Sequence, residues 1–89
     1  MTTWLIRVEG RVQRVGFRDF AVRAARELGI NGTTRNLTDG AVEILAQGER
    51  EAVETLLAGL RVGPPTADVT AVVSKPVSAE REYDSFEVR

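Results

Sequence analysis

The 89-residue chain contains no cysteine and no histidine. Disulfides, thiolate nucleophiles, imidazole bases and the usual zinc ligands are therefore excluded, and with them cysteine-dependent phosphatase, phosphohistidine and Ser/His/Asp hydrolase chemistry. No apolar run approaches the ~20 residues that span a bilayer, and residues 1–5 lack a signal-peptide pattern. The expectation is a soluble cytoplasmic protein without a membrane partner. The length fits a single domain over residues 1–89, able to bury about 60 to 65% of its unfolded surface.

The net charge of −1 conceals an asymmetry. Residues 1–26 hold six Arg against Glu9 and Asp19, a local +4, whereas residues 27–89 hold six basic against eleven acidic side chains, a local −5. A short basic end on a mildly acidic chain suits a small anion better than an extended nucleic-acid track.

Hydrophobic period orders the elements. Trp4, Ile6 and Val8 alternate with Leu5, Arg7 and Glu9 and predict a half-buried strand. Phe17, Phe20, Ala21, Ala24, Ala25 and Leu28 recur at helical spacing, with Gly29 as the stop. A weaker strand over residues 30–37 leads through Thr38, Asp39 and Gly40, a hairpin signal, into a strand over residues 41–47. After Gly48, a second helix carries Ala52, Val53, Leu56, Leu57 and Leu60 on one stripe, with Glu49, Glu51 and Glu54 near its favourable end. Gly63, Pro64 and Pro65 end it. Val69, Ala71 and Val73 predict a fourth strand interrupted by Pro76, residues 77–82 an exposed loop, and Tyr83, Phe86 and Val88 a short closing strand.

The order β-α-β-β-α-β with a short extra strand predicts an α+β fold, a ferredoxin-like sandwich with both helices on one face of an antiparallel sheet. A right-handed crossover makes the first two strands parallel. The turn after the first strand and the end of the second, with Asn36, then lie at the same edge.

That turn, GRVQRVGFR over residues 10–18, is electrostatically odd. Arg11, Arg14 and Arg18 cluster where a helix start already carries partial positive charge and free N–H donors. An anion removes the conflict, and a guanidinium beside a Gly-containing turn suits phosphate. Any one of these arginines alone reads as a solvated surface residue; three together weaken that reading. Asn36, by local sequence alone, reads first as a turn residue. Gly16, Gly32 and Gly40 read as backbone-geometry positions, with Gly16 the one expected to touch ligand. Gln13 either packs the turn or points its amide at the phosphate.

At these residues the sequence resembles the acylphosphatase family. GRVQRVGFR is similar to the family's phosphate-binding turn, GTTRNLTDGAVEILAQG to its second signature, and GPPTADV and the terminal YDSF to its later segments. The resemblance implies a hydrolase without metal or cofactor that splits the carboxyl–phosphate bond of acyl phosphates. It implies that Arg18 binds the phosphoryl oxygens, that backbone amides of Gln13, Arg14, Val15, Gly16, Phe17 and Arg18 form the cradle, and that Asn36 orients the attacking water. The expected partners are small acyl phosphates and phosphate, and the expected state is a monomer.

The chain departs from the family pattern at two positions. Arg14 replaces a usual Gly in the cradle, and Thr33 replaces a usual aromatic. Arg14 either distorts the loop or points outward and adds attracting potential. A catalytically degenerate module that binds a phosphate-bearing ligand or a protein is the alternative function. RNA binding requires exposed aromatics on a basic strand, and residues 41–47 offer none.

Overall fold

The computed structural model describes residues 2–89. Strand β1 (Thr2–Arg11) turns Ile6 and Val8 fully into the core, and Trp4 packs against the same cluster. The 2.0-residue period of a strand produces this face, and the outer face keeps Leu5, Arg7 and Glu9. Helix α1 (Phe17–Glu27) buries Phe17, Ala21, Val22 and Ala25, with Phe20, Ala24 and Leu28 packed at the edge of the core. Its end is a Schellman motif. Gly29 takes φ 71°, its N–H donates to the Arg26 carbonyl, and the Ile30 N–H donates to that of Ala25 at 2.9 Å.

Strands β2 (Asn31–Asn36) and β3 (Val42–Gly48) form the expected hairpin, with Gly40 at φ 98°. Helix α2 (Arg50–Val62) buries Val53, Leu56, Leu57 and Leu60 and carries Glu51 in its first turn. Each large apolar side chain so buried contributes about 1.5–3 kcal/mol. Strands β4 (Asp68–Pro76) and β5 (Phe86–Val88) complete a five-stranded sheet in the order β4-β1-β3-β2-β5. Both β1 and β2 pair antiparallel with β3, which makes them parallel to each other and brings the end of β1 and the end of β2 to one edge.

The later segments depart from expectation in four ways. The sheet is mixed and not purely antiparallel, because β5 runs parallel to β2. Residues 77–85 pass from the β4 edge to the opposite edge, and they are fastened on the way by Gln47. This side chain, 2% exposed, donates to the Arg81 carbonyl and accepts the Tyr83 N–H, each at 2.7 Å. Tyr83 thus belongs to the crossing segment, where the Arg81 guanidinium lies 4.4 Å above its ring, and the closing strand starts at Phe86.

Pro76 does not interrupt β4; it is the strand's last residue and pairs with Trp4. An edge strand tolerates the missing N–H. Finally, a bulge between Glu9 and Gly10 sets Glu9 opposite Ala71 but Gly10 opposite Val69. The extra residue shifts the facing, so Val69 and Val72 meet the core while Val73 stands 57% exposed.

Candidate active site

Two departures from ordinary backbone, with one residue between them, shape the loop between β1 and α1. Arg14 lies at φ 64°, the sole non-glycine residue with positive φ among the described residues, a conformation costing an L-residue about 1–2 kcal/mol. Gly16 follows at φ 79°, ψ 16° as the N-cap of α1, and no side chain caps the helix. The first helical backbone bond runs from the Phe20 N–H to the Gly16 carbonyl at 3.0 Å. The N–H groups of Phe17, Arg18 and Asp19 are consequently left over, as at any helix start. Nor does any hydrogen bond among the described residues take up the N–H of Arg14, Val15 or Gly16.

Side chains pin this loop from two sides. The Gln13 Nε2 donates to the Leu37 carbonyl at 2.7 Å and to the Ala41 carbonyl at 2.8 Å. Both amide protons are thereby spent on the β2–β3 turn, which decides between the two readings of Gln13: it packs the turn. On the other side the Thr66 hydroxyl donates to the Val15 carbonyl at 2.6 Å. The segment between α2 and β4, whose Gly63, Pro64 and Pro65 read as a helix stop, therefore also holds the loop.

The resulting pocket, about 250 Å³, has Arg14, Gly16, Phe17, Arg18, Asn36 and Val88 among its walls. Of the predicted site residues, Arg14, Gly16, Phe17, Arg18 and Asn36 meet here. Gln13 and Val15 contribute backbone to the loop, but their side chains face away, Val15 packing against the core. Arg11 does not join Arg14 and Arg18; it ends β1 opposite Asp68. Val88 is a wall that sequence reasoning did not find. It reaches the pocket because β5 sets it beside Thr34, two residues before Asn36 on the same face of β2.

Charge in the pocket is mainly positive: Arg14 and Arg18 line it against the single carboxylate of Asp19. Ion pairs among the described residues occupy Arg7, Arg23, Arg26, Arg35 and Arg50, and none includes Arg14 or Arg18. The neighbouring carboxylate of Asp19 pairs along the helix with Arg23 at 3.3 Å. Asn36 presents the complementary feature. Its Oδ1 is buried and meets no hydrogen-bond partner among the described residues, as does the Oγ1 of Thr34 behind it. A buried acceptor without a donor costs about 1–3 kcal/mol unless water or ligand supplies one.

The turn beneath Asn36 has its own support. Arg7 donates to Glu9 at 2.7 Å and to Asp39 at 2.6 Å, and the Ala41 N–H donates to the Asp39 carboxylate at 3.1 Å. Hydrogen bonding from the Ala41 backbone, and then from Arg7, holds the Asp39 carboxyl below its ordinary value of 3.8. The bond to Glu9, followed by that to Asp39, raises Arg7.

Comparison with known proteins agrees with this geometry. Residues 4–88 match the Acylphosphatase family model. A protein named acylphosphatase from Paraburkholderia xenovorans is 48% identical over 85 residues, 96% of this chain and 88% of the relative. Another from Archaeoglobus fulgidus is 49% identical, covering 93% of this chain and 92% of the relative. The crystal structure of acylphosphatase from Bacillus subtilis superposes with a TM-score of 0.95 at 32% identity, covering 100% of this chain and 99% of its own. Fold, motifs and coverage agree: the chain belongs to the acylphosphatase family.

Proposed function

We propose that this pocket carries out acyl phosphate hydrolysis with Arg18 and Asn36 as its catalytic residues. The observation that carries the reading is their juxtaposition: an arginine without a carboxylate partner and a buried amide oxygen without a donor line one pocket. The Arg18 guanidinium grips two phosphoryl oxygens, and N–H groups of residues 13–18 receive the rest of the negative charge. Asn36 Oδ1 accepts a hydrogen bond from water and aims its lone pair at phosphorus. The water oxygen bonds to phosphorus as the bond to the acyl oxygen breaks, and the water's proton ends on the released phosphate.

The leaving group is a carboxylate, stable without protonation, so no histidine or other general acid is needed to expel it. Phosphoryl transfer then depends on position and charge, which an arginine, an amide and a row of N–H donors supply. The protein works as a cytoplasmic monomer on small acyl phosphates, without nucleic acid or membrane as partner. Supporting this, no helix among the described residues is long and apolar enough to cross a membrane. The outer face of β1 and β3 presents Leu5, Arg7, Glu43 and Leu45 where an RNA-binding sheet needs aromatics.

Hydrolysis of benzoyl phosphate, followed optically with and without chelator, tests the proposal in the wild type and Arg18→Ala. Chelator-resistant turnover that is lost in the variant is expected. Phosphate binding without turnover in the wild type would instead mark a degenerate binding module.

A further inference from the structure

A second arginine lines the pocket with Arg18. Arg14 lines the same walls, lacks an ion-pair partner among the described residues, and sits at φ 64°. A long cationic side chain at a position that favours glycine is an outlier from which function is reasonably inferred. In the proposed mechanism Arg18 and the loop N–H groups hold the phosphoryl oxygens, which leaves Arg14 without a part in that step. Among the other walls Val12, Phe17 and Val88 are apolar and offer an acyl group contact without charge, and the one carboxylate, Asp19, is paired with Arg23 at 3.3 Å.

We propose that Arg14 reads the acyl portion of the substrate, favouring acyl phosphates that carry a second anionic group beyond the scissile anhydride. The inference rests on the acyl phosphate reading of the site. A neutral acyl chain leaves Arg14 in water, whereas an acyl chain ending in carboxylate or phosphate forms a charge-assisted contact with it. The contact is partly solvated, so its contribution is modest and salt-sensitive.

Succinyl phosphate and butyryl phosphate, equal in carbon count and differing in the terminal carboxylate, provide the comparison. The ratio of their kcat/KM values is measured for the wild type, Arg14→Gly and Arg11→Gln at low and high salt. The expected result is a fall in the ratio of about three- to tenfold in Arg14→Gly, shrinking at high salt, with no comparable change in Arg11→Gln. That control removes a like charge outside the pocket, so an equal effect in both variants would reduce Arg14 to a contributor of general potential and overturn the proposal. An unchanged ratio in Arg14→Gly would overturn it as well.

Calorimetric titration with 3-phosphonopropionate and propylphosphonate keeps the inference separate from the activity. Preference for the carboxylate-bearing ligand that disappears in Arg14→Gly supports the role of Arg14 even without turnover. Equal affinity of the wild type for both ligands would refute it while leaving benzoyl phosphate hydrolysis untouched.

Discussion

The Gln13 side chain donates to the carbonyl of Leu37 at 2.7 Å, the residue that follows Asn36 in the chain, and so ties the arginine loop directly to the strand that bears the amide. Through this bond and the one to Ala41, the loop and the end of β2 keep their relative position. Both carbonyls retain another donor, the Gly40 N–H for Leu37 and the Leu37 N–H for Ala41. Gln13→Ala should therefore lower stability by only about 1–2 kcal/mol. Its kinetic effect should be larger on kcat than on KM, because misplacing the proposed water-orienting amide by an ångström affects the transition state first. Denaturant melts and steady-state kinetics check this. An unchanged kcat would limit Gln13 to a structural role.

Arg18 and Asn36 should separate kinetically. In the proposed mechanism Arg18 meets the phosphoryl group before and during reaction, so Arg18→Ala should raise KM and lower kcat, with kcat/KM down about 100- to 1,000-fold. Asn36 is proposed to act on the water, and Asn36→Ala should then lower kcat about 100-fold or more with KM little changed. Inorganic phosphate should still bind Asn36→Ala as a competitive inhibitor. A raised KM with normal kcat in Asn36→Ala would assign the amide to substrate binding.

Why some of this was legible in the sequence and some was not follows from the range of the forces involved. The stripe Phe17, Ala21 and Ala25 and the Gly29 stop are local signals, and α1 obeys them. The meeting of Arg18 and Asn36 is nonlocal, yet chain order and crossover handedness set it. The outward facing of Val73 is invisible in the sequence because the bulge opposite Glu9 and Gly10 depends on the neighbouring strand. Pro76 reads as a strand breaker because its tolerance depends on β4 being an edge, which the sequence does not show. Gln47 reads as a polar end to an alternating strand, and its burial becomes visible only once residues 77–85 cross over it.

Gln47 supplies a prediction of its own. Leucine at this position keeps the bulk but leaves the Tyr83 N–H and the Arg81 carbonyl without their partner. Gln47→Leu should cost about 2–3 kcal/mol, as expected when backbone groups at a part-buried site lose hydrogen bonds. Hydrogen exchange at the Tyr83 amide should accelerate along with the loss measured in denaturant. Full protection of that amide in the variant would show that another acceptor replaces the side chain.

Acid should act on the β2–β3 turn through Asp39. Its carboxyl is held below the ordinary 3.8, so the unfolded chain binds more protons as pH falls through that region, and stability falls with it. The contribution is complete above the ordinary value and disappears as pH drops through the depressed native one. In urea titrations between pH ~5 and ~2, Asp39→Asn should lose less stability than the wild type does. Parallel curves would mean that the contacts with Ala41 and Arg7 do not contribute to acid sensitivity.

Arg14 brings stability and specificity into opposition. Glycine relieves the positive-φ penalty of about 1–2 kcal/mol but returns about 0.4–1 kcal/mol by loosening the unfolded chain. Arg14 has no ion pair to lose among the described residues. Arg14→Gly should consequently be more stable by about 0.5 kcal/mol, raising the Tm by about 2–4 °C in a domain of this size. Calorimetry of the two proteins under one buffer condition decides it. A lower Tm would show that the arginine stem makes packing contacts that outweigh the backbone cost. A higher Tm combined with weaker discrimination between succinyl and butyryl phosphate would mean that the strain is retained for recognition, since relieving it would improve the fold and blunt the site.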